Sequence, residues 1–519
     1  MTSRFYDAVV LGRSLGALTA AALLARRDFR VLLVGQGERP QTHSFEGRPL
    51  CRRTFTPLFN STPTWKRVLH ELAQSPQYRR RTEALDPMFS ALLPDRRLEF
   101  APDLEIFARE VDREFPEVRG VVDELYSRIG EVNSVADAAF DRDAVWPPGT
   151  LWERFETGRA ASLLPLGGGE RSIDLLAKFP SGHPFRELVL LPATFASHLA
   201  STAHELPAFA VARLHGSWAR GVQTLSRGEE ELTEFLVERI QAHGGVIELE
   251  RRVESLRIKN GAAVGVVLDG DEEPTGTSSV ICNQWGEVLA DLSGGDGITK
   301  AARKDWPRLT PETSRFVVSL VVKRAALQAP FGKEAFVFPR VPDPRKPALH
   351  LQRLDPGVLT SGSAPAGEAL LVAECLLPTR GSLSLFEARE AVLATLRDAL
   401  PFLDEHLLVV DSAHDGLPLH DYTSGEKREI DRIHVGSAAP SAEPMERLWT
   451  VDPSGYRELA GEPVRGPIPN TYLVGKTVLP ALGQEGELLA AVSAARIITA
   501  RDRTRQKLRR QMWSKIETN

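Results

Sequence analysis

The stretch YDAVVLGRSLGALTAAALLARRDFRVLLVGQG, Tyr6–Gly37, decides the fold. Ala8 to Leu11 is an apolar run that meets Gly12; a segment of small residues follows, then a second apolar run from Val31 to Val34. That order predicts strand, tight turn, helix and strand, the opening unit of a doubly wound α/β sheet that carries a dinucleotide on its first turn. The turn reads Gly12-Arg13-Ser14-Leu15-Gly16-Ala17 where the fingerprint is G-x-G-x-x-G/A. Gly12 permits the sharp exit from the strand, and Ala17 is small enough for close helix–strand packing. Ser14 stands where a second glycine would let backbone approach a pyrophosphate; its hydroxyl could instead donate to a phosphate. The acid that binds ribose hydroxyls ends the second strand in this fold. By spacing that position is Gly35, and Glu38 comes three residues too late.

A chain of 519 residues exceeds one ordinary core, so two or three structural domains are expected. With 42% apolar and 26% charged residues it has a globular composition, and a net charge of −5 gives no case for nucleic acid. The arginine pairs and triplets are scattered, which fits a solvated surface. Three widely spaced cysteines, Cys51, Cys282 and Cys375, argue against a disulfide framework or zinc site and suit a reducing compartment. The amino terminus reads as no signal peptide, and no run of about eighteen apolar residues is long enough to span a bilayer.

Further along, residues 62–215 read as largely helical, with one more helix expected near Phe195 to Leu206. Leu232, Phe235, Leu236 and Ile240 share a helix face that Gly244 terminates. Val246–Leu249, Val253–Ile258 and Ala262–Leu268 are strand-like, with Asn260-Gly261 as a hairpin turn, and Val280–Cys282 closes the region as a short strand. Residues 290–430 carry several strands and one or two helices, which predicts an antiparallel sheet with helical cover. Thr471–Val474 is a strand leading into Gly475, and an apolar helix runs from Gly486 to Ala500.

Three blocks, Tyr6–Gly37, Gly221–Asn283 and Asn470–Ile498, together resemble the flavin-dependent phytoene-desaturase and retinol-saturase-like amine-oxidoreductases. The resemblance implies a Rossmann-like FAD/NAD(P)-binding domain from residues 1–61, 215–290 and 431–500, with an inserted α+β substrate domain from 62–214 and 291–430. It implies FAD as cofactor, with the diphosphate at Gly12, Ser14, Leu15, Gly16 and Ala17. The backbone of Val253 would meet the adenine. Gly475, Lys476, Pro480, Gly483 and Gly486 would form the loop near the isoalloxazine. The substrate would be an apolar polyene or isoprenoid-type molecule, gaining or losing hydride.

Several positions depart from that pattern. Ser14 replaces a glycine, Gly35 an acid, and Ala481 and Leu482 fill a glycine run. Lys476 could meet a pyrophosphate as a point charge. No catalytic residue is nominated and no metal site is expected; His198 and His204 read as structural or solvated. His414, Asp415, His420 and Asp421 form a polar stretch, either solvated or lining a pocket. Two other readings stay open: a cofactor-free scaffold built on the same fold, and NAD(P) in the first site, with Arg39 on a 2′-phosphate. Residues 501–519 are strongly basic, with Leu508, Met512 and Ile516 every four residues. That is an amphipathic helix suited to an anionic membrane surface or an acidic protein partner, or docked on its own domain. A cytoplasmic protein visiting membranes peripherally is the expectation.

Overall fold

The computed structural model describes residues 5–166, 169–200, 205–327, 331–341, 343–360, 364–381, 383–436, 439 and 441–502. The basic segment after Asp502, and His204, lie outside the described residues. Strand β1 (Ala8–Leu11) leads into helix α1 (Leu15–Arg26) and strand β2 (Val31–Val34). Strands β3 (Val246–Glu248), β4 (Val280–Cys282) and β5 (Thr471–Leu473) complete one parallel sheet in the order β3-β2-β1-β4-β5. β1, β2 and β4 are buried throughout and read as unbroken apolar runs, as a sheet covered on both faces requires. The α1 sequence is rich in alanine and leucine, and every residue from Leu15 to Ala25 is buried. It packs against helix α2 (Gly483–Arg501), which follows the last glycine loop. Three distant segments of chain thus close into one body.

Beside it, Val253–Lys259 and Ala262–Leu268 form the expected hairpin, with Asn260 and Gly261 both at positive φ (52° and 73°). The hairpin extends to Thr275–Thr277 and Phe5–Tyr6 as a second, four-stranded sheet.

The second body is a ten-stranded mixed sheet centred on the long Arg308–Lys323 strand, paired antiparallel with Glu368–Pro378, Leu407–Asp411 and Glu446–Asp452. Helix Leu385–Ala399 covers one face over a core that includes Phe316, Leu320, Leu371 and Leu393.

Three stretches differ from the sequence reading. Phe89–Leu92 and Arg97–Phe100 form a hairpin rather than helix, and Phe89–Leu92 runs parallel to Glu334–Val337 in the large sheet. Of the helix expected near Phe195–Leu206, residues 201–204 lie outside the described residues; Pro184–Ala196 and Ala208–Ala219 are helical, and Ser197 is extended. Glu446–Asp452, placed by sequence with the nucleotide-binding segments, is instead a strand of the large sheet. In each case a partner far away in sequence fixes the conformation, which local propensity does not encode.

Candidate functional site

The site lies where the first turn of the parallel sheet, the loop before α2 and one face of the large sheet meet. Ser14 is the N-cap of α1, and its hydroxyl accepts the Ala17 N–H at 3.4 Å. It caps the helix with its own oxygen, filling a position where a second glycine would leave backbone open. The helix start is still an anion-attracting end. Two carboxylates answer it from within the chain. Glu38 accepts the Arg13 N–H at 2.8 Å and the Asn283 carboxamide at 2.7 Å. Glu487 accepts the Gly16 N–H at a long 3.5 Å.

Glu38 gets there because the chain turns back after β2. Gln36 and Gly37 both adopt positive φ, 55° and 74°, and the Glu38 N–H returns to the Gly35 carbonyl at 3.1 Å. Two consecutive left-handed residues are the signature of a type I′ turn. Gln36 is not a glycine, so its strain is held in place by its bonds: its N–H donates to the Arg251 carbonyl at 3.0 Å. Its side chain accepts the Val253 N–H at 2.9 Å and donates to the Val253 carbonyl at 3.0 Å. Both backbone groups that the resemblance reserves for adenine are therefore in use. At Gly35 a Cβ would stand 1.8 Å from the Leu249 carbonyl oxygen, so no side chain fits there. Arg39, the candidate for a 2′-phosphate, pairs with Glu443 at 3.2 Å.

Gly475 follows β5 and touches the Asn283 backbone so closely that a Cβ would fall 1.6 Å from its carbonyl oxygen. Pro480 accepts the His198 N–H at 2.9 Å, and Gly483 and Gly486 open α2 beneath it. Lys476 does not reach a free anion position: its ammonium lies 2.6 Å from Glu446. Burial works against that ammonium, but Glu446 and Glu487 outweigh it and raise its pKa. Burial alone would lift the Glu446 carboxyl; Lys476 and Arg315 outweigh that and hold it well below the usual carboxylate range. Arg315 stands 3.3 Å from Glu446 and also pairs with Glu374.

Lys476, Glu446, Arg315 and Glu374 line a partly open cavity of about 140 Å³, with Phe195, Trp218 and Phe336 as apolar wall and Ser14, Leu15 and Leu482 at the nucleotide side. A pocket for a drug-sized ligand takes roughly 300 Å³ or more. His198 is 5% exposed and projects between two carboxylates, 3.5 Å from Glu487 and 3.6 Å from Glu446, at the limit of hydrogen bonding. Burial lowers its pKa, leaving a neutral imidazole at pH 7. Glu485, also on the cavity wall, holds Arg213 through two bonds of 2.6 Å, which fixes the start of α2.

The other candidates fall elsewhere. His414, Asp415, His420 and Asp421 are buried away from the cavity, neither solvated nor lining it; Arg389 clamps Asp415 at 2.7 and 2.8 Å. The three cysteines are free and buried. Among the described residues no cluster could hold a metal ion, and no helix is long and apolar enough to cross a membrane. Sequence reasoning missed Gln36, Arg315, Glu374, Glu446 and Glu487. Only the left-handed turn implied by Gln36-Gly37 offered a signal.

For FAD, the strand order and the α1 amino terminus fit a dinucleotide. Gln36, Glu38 and Glu487 use the same groups it would need.

No protein-family model matches the chain. A 4,4'-diapophytoene desaturase (4,4'-diapolycopene-forming) of Methylomonas sp is 24% identical over 295 residues, 55% of this chain and 55% of that enzyme. The match thus spans about half the length of that relative. Among solved structures, an oxidoreductase from Methanosarcina mazei superposes with a TM-score of 0.59 at 16% identity, covering 94% of this chain and 99% of that one. Putrescine oxidase bound to putrescine gives 0.56 at 14% identity over 96% and 99% of the two chains. Cyclohexylamine oxidase from Brevibacterium oxydans gives 0.54 at 14% over 96% and 99%. The chain has the two-body fold of these oxidases and this oxidoreductase, the α/β fold that its three motif blocks imply.

Proposed function

We propose that the chain is an FAD-dependent oxidoreductase that moves hydride to or from a lipophilic polyene or isoprenoid-type substrate. The observation that carries the reading is the convergence of three remote segments on one parallel sheet, with the amino terminus of α1 facing the loop before α2. The desaturase resemblance over 295 residues supports the substrate class. FAD, when bound, would supply the hydride carrier. The Leu15 N–H would hold its diphosphate, joined by those of Gly16 and Ala17 once Glu487 and Ser14 release them. Phe195, Trp218 and Phe336 would exclude water from the reacting end, with His198 on the same wall. The test is the visible spectrum of freshly purified protein, before and after added FAD, followed by anaerobic exposure to a C30 or C40 polyene. Stoichiometric flavin bleached by the polyene supports the reading, and no flavin uptake defeats it.

A second reading, a cofactor-free scaffold that recognises a protein partner, is favoured by Glu38 and Glu487 at the helix start, where a diphosphate would meet like charge. We further propose that residues 501–519 dock an anionic membrane surface. Unchanged liposome association after their deletion would refute this.

A further inference from the structure

We infer that the turn Gly35–Glu38 is a built-in competitor for the adenosine diphosphate end of the cradle, with Gln36 standing in for the base and Glu38 for the phosphate. This rests on the FAD reading above and concerns how tightly that cofactor is admitted. The adenine edge offers a ring-nitrogen acceptor beside an exocyclic amino donor. The Gln36 carboxamide offers the same pair, and both its atoms meet the backbone of one residue, at 2.9 and 3.0 Å from Val253. Glu38 gives the first turn what an anion would: it accepts the Arg13 N–H at 2.8 Å and the Asn283 carboxamide at 2.7 Å. These two side chains are two residues apart on a turn whose positive φ angles, 55° and 74°, point them back at the sheet.

The frame around the turn is closed to the usual arrangement. The Leu249 carbonyl stands where a side chain at Gly35 would begin, so the ribose-binding acid has no room. Glu38 carries charge of the same sign as a diphosphate, so entry of the cofactor requires its withdrawal. A dinucleotide therefore binds only by displacing Gln36 and Glu38, and its affinity is lowered by whatever holds the turn shut.

The test uses the full chain and two probes, ADP and FAD, each titrated by calorimetry against wild type, the double variant Gln36→Ala/Glu38→Ala and the single variant Glu38→Gln. Far-ultraviolet circular dichroism checks that the variants fold. The expected result is ADP binding at least about tenfold tighter in the double variant, with Glu38→Gln in between because it keeps the acceptor and loses the charge. Equal or weaker ADP binding in both variants overturns the inference. If the double variant does not fold, Glu38→Gln decides alone: tighter ADP binding supports the inference, and no change overturns it. Wild type that carries stoichiometric FAD with an affinity indifferent to these substitutions overturns the inference and leaves the FAD reading standing. ADP tightened in the variants, with FAD taken up by none of the proteins, supports the inference and defeats the FAD reading.

Discussion

Replacing Gly35 separates two explanations for its missing carboxylate. If the acid had only been lost, Gly35→Glu would restore a ribose ligand at little cost. The structure predicts the opposite. A Cβ at this position lies 1.8 Å from the Leu249 carbonyl oxygen, against the 3.4 Å at which ordinary contact begins, so the two backbones must part by about 1.6 Å. Neither partner is a flexible side-chain tip. The shift breaks the Gly35 N–H bond to Glu248 at 3.1 Å and the Gln36 N–H bond to Arg251 at 3.0 Å. Two net hydrogen bonds are worth about 2 kcal/mol. Overpacking adds about 1–3 kcal/mol. Gly35→Ala should therefore destabilise by about 3–5 kcal/mol, and Gly35→Glu by at least as much. Urea unfolding followed by tryptophan fluorescence measures the loss. Hydrogen exchange on residues 246–249 shows whether the edge strand β3 peels first. A Gly35→Glu variant as stable as wild type, with tighter FAD binding, would refute the reasoning.

Burial pushes the His215 pKa down from 6.5 to about 4. The unfolded chain takes up the proton first, so the stabilisation is complete above 6.5 and is lost as pH falls towards 4. At full extent it is about 3 kcal/mol, and His215→Asn should flatten the urea midpoint between pH 4 and 6.5. Glu485→Gln leaves Arg213, only 1% exposed, with half its charge partners; Asp137 remains. The loss should be about 2–3 kcal/mol by denaturant unfolding, below the value for a buried pair left wholly unmatched. Glu446 has a depressed pKa, so its contribution exists above the ordinary glutamate range and fades as pH falls. The stability gap between wild type and Glu446→Gln should therefore be widest near neutrality and narrow in acid, as paired unfolding curves would show. Burial pushes the Cys51 and Cys282 thiols up to about 12, so iodoacetamide at pH 8 should label neither until the protein is denatured, as intact mass would report.

The parallel sheet was legible because its signals are local. Val31–Val34 and Val280–Cys282 are continuous apolar runs, and Asn260-Gly261 names its own turn. The Phe89–Phe100 hairpin was not, since its strands are four residues each and gain their stability from Glu334–Val337, far along the chain. In the site, spacing along the strand places Glu38 three residues past the ribose-binding position and gives it no role at the first turn. The two left-handed residues before it shorten that path and return the carboxylate to Arg13. Lys476 illustrates the opposite error. Its charge was read correctly, but its partner Glu446 comes from a strand of the other body, so the ammonium is already spoken for.

The parallel sheet also constrains how the molecule is made. As the polypeptide leaves the ribosome, β1, α1 and β2 emerge well before β5 and α2, which are among the last described elements. Until Thr471–Leu473 arrives, β4 lacks its outer neighbour, and α1 packs on the Gly228–Ala242 helix without α2. Between the synthesis of β4 and that of β5 the nascent chain must carry an open apolar strand edge, the kind of surface that chaperones engage.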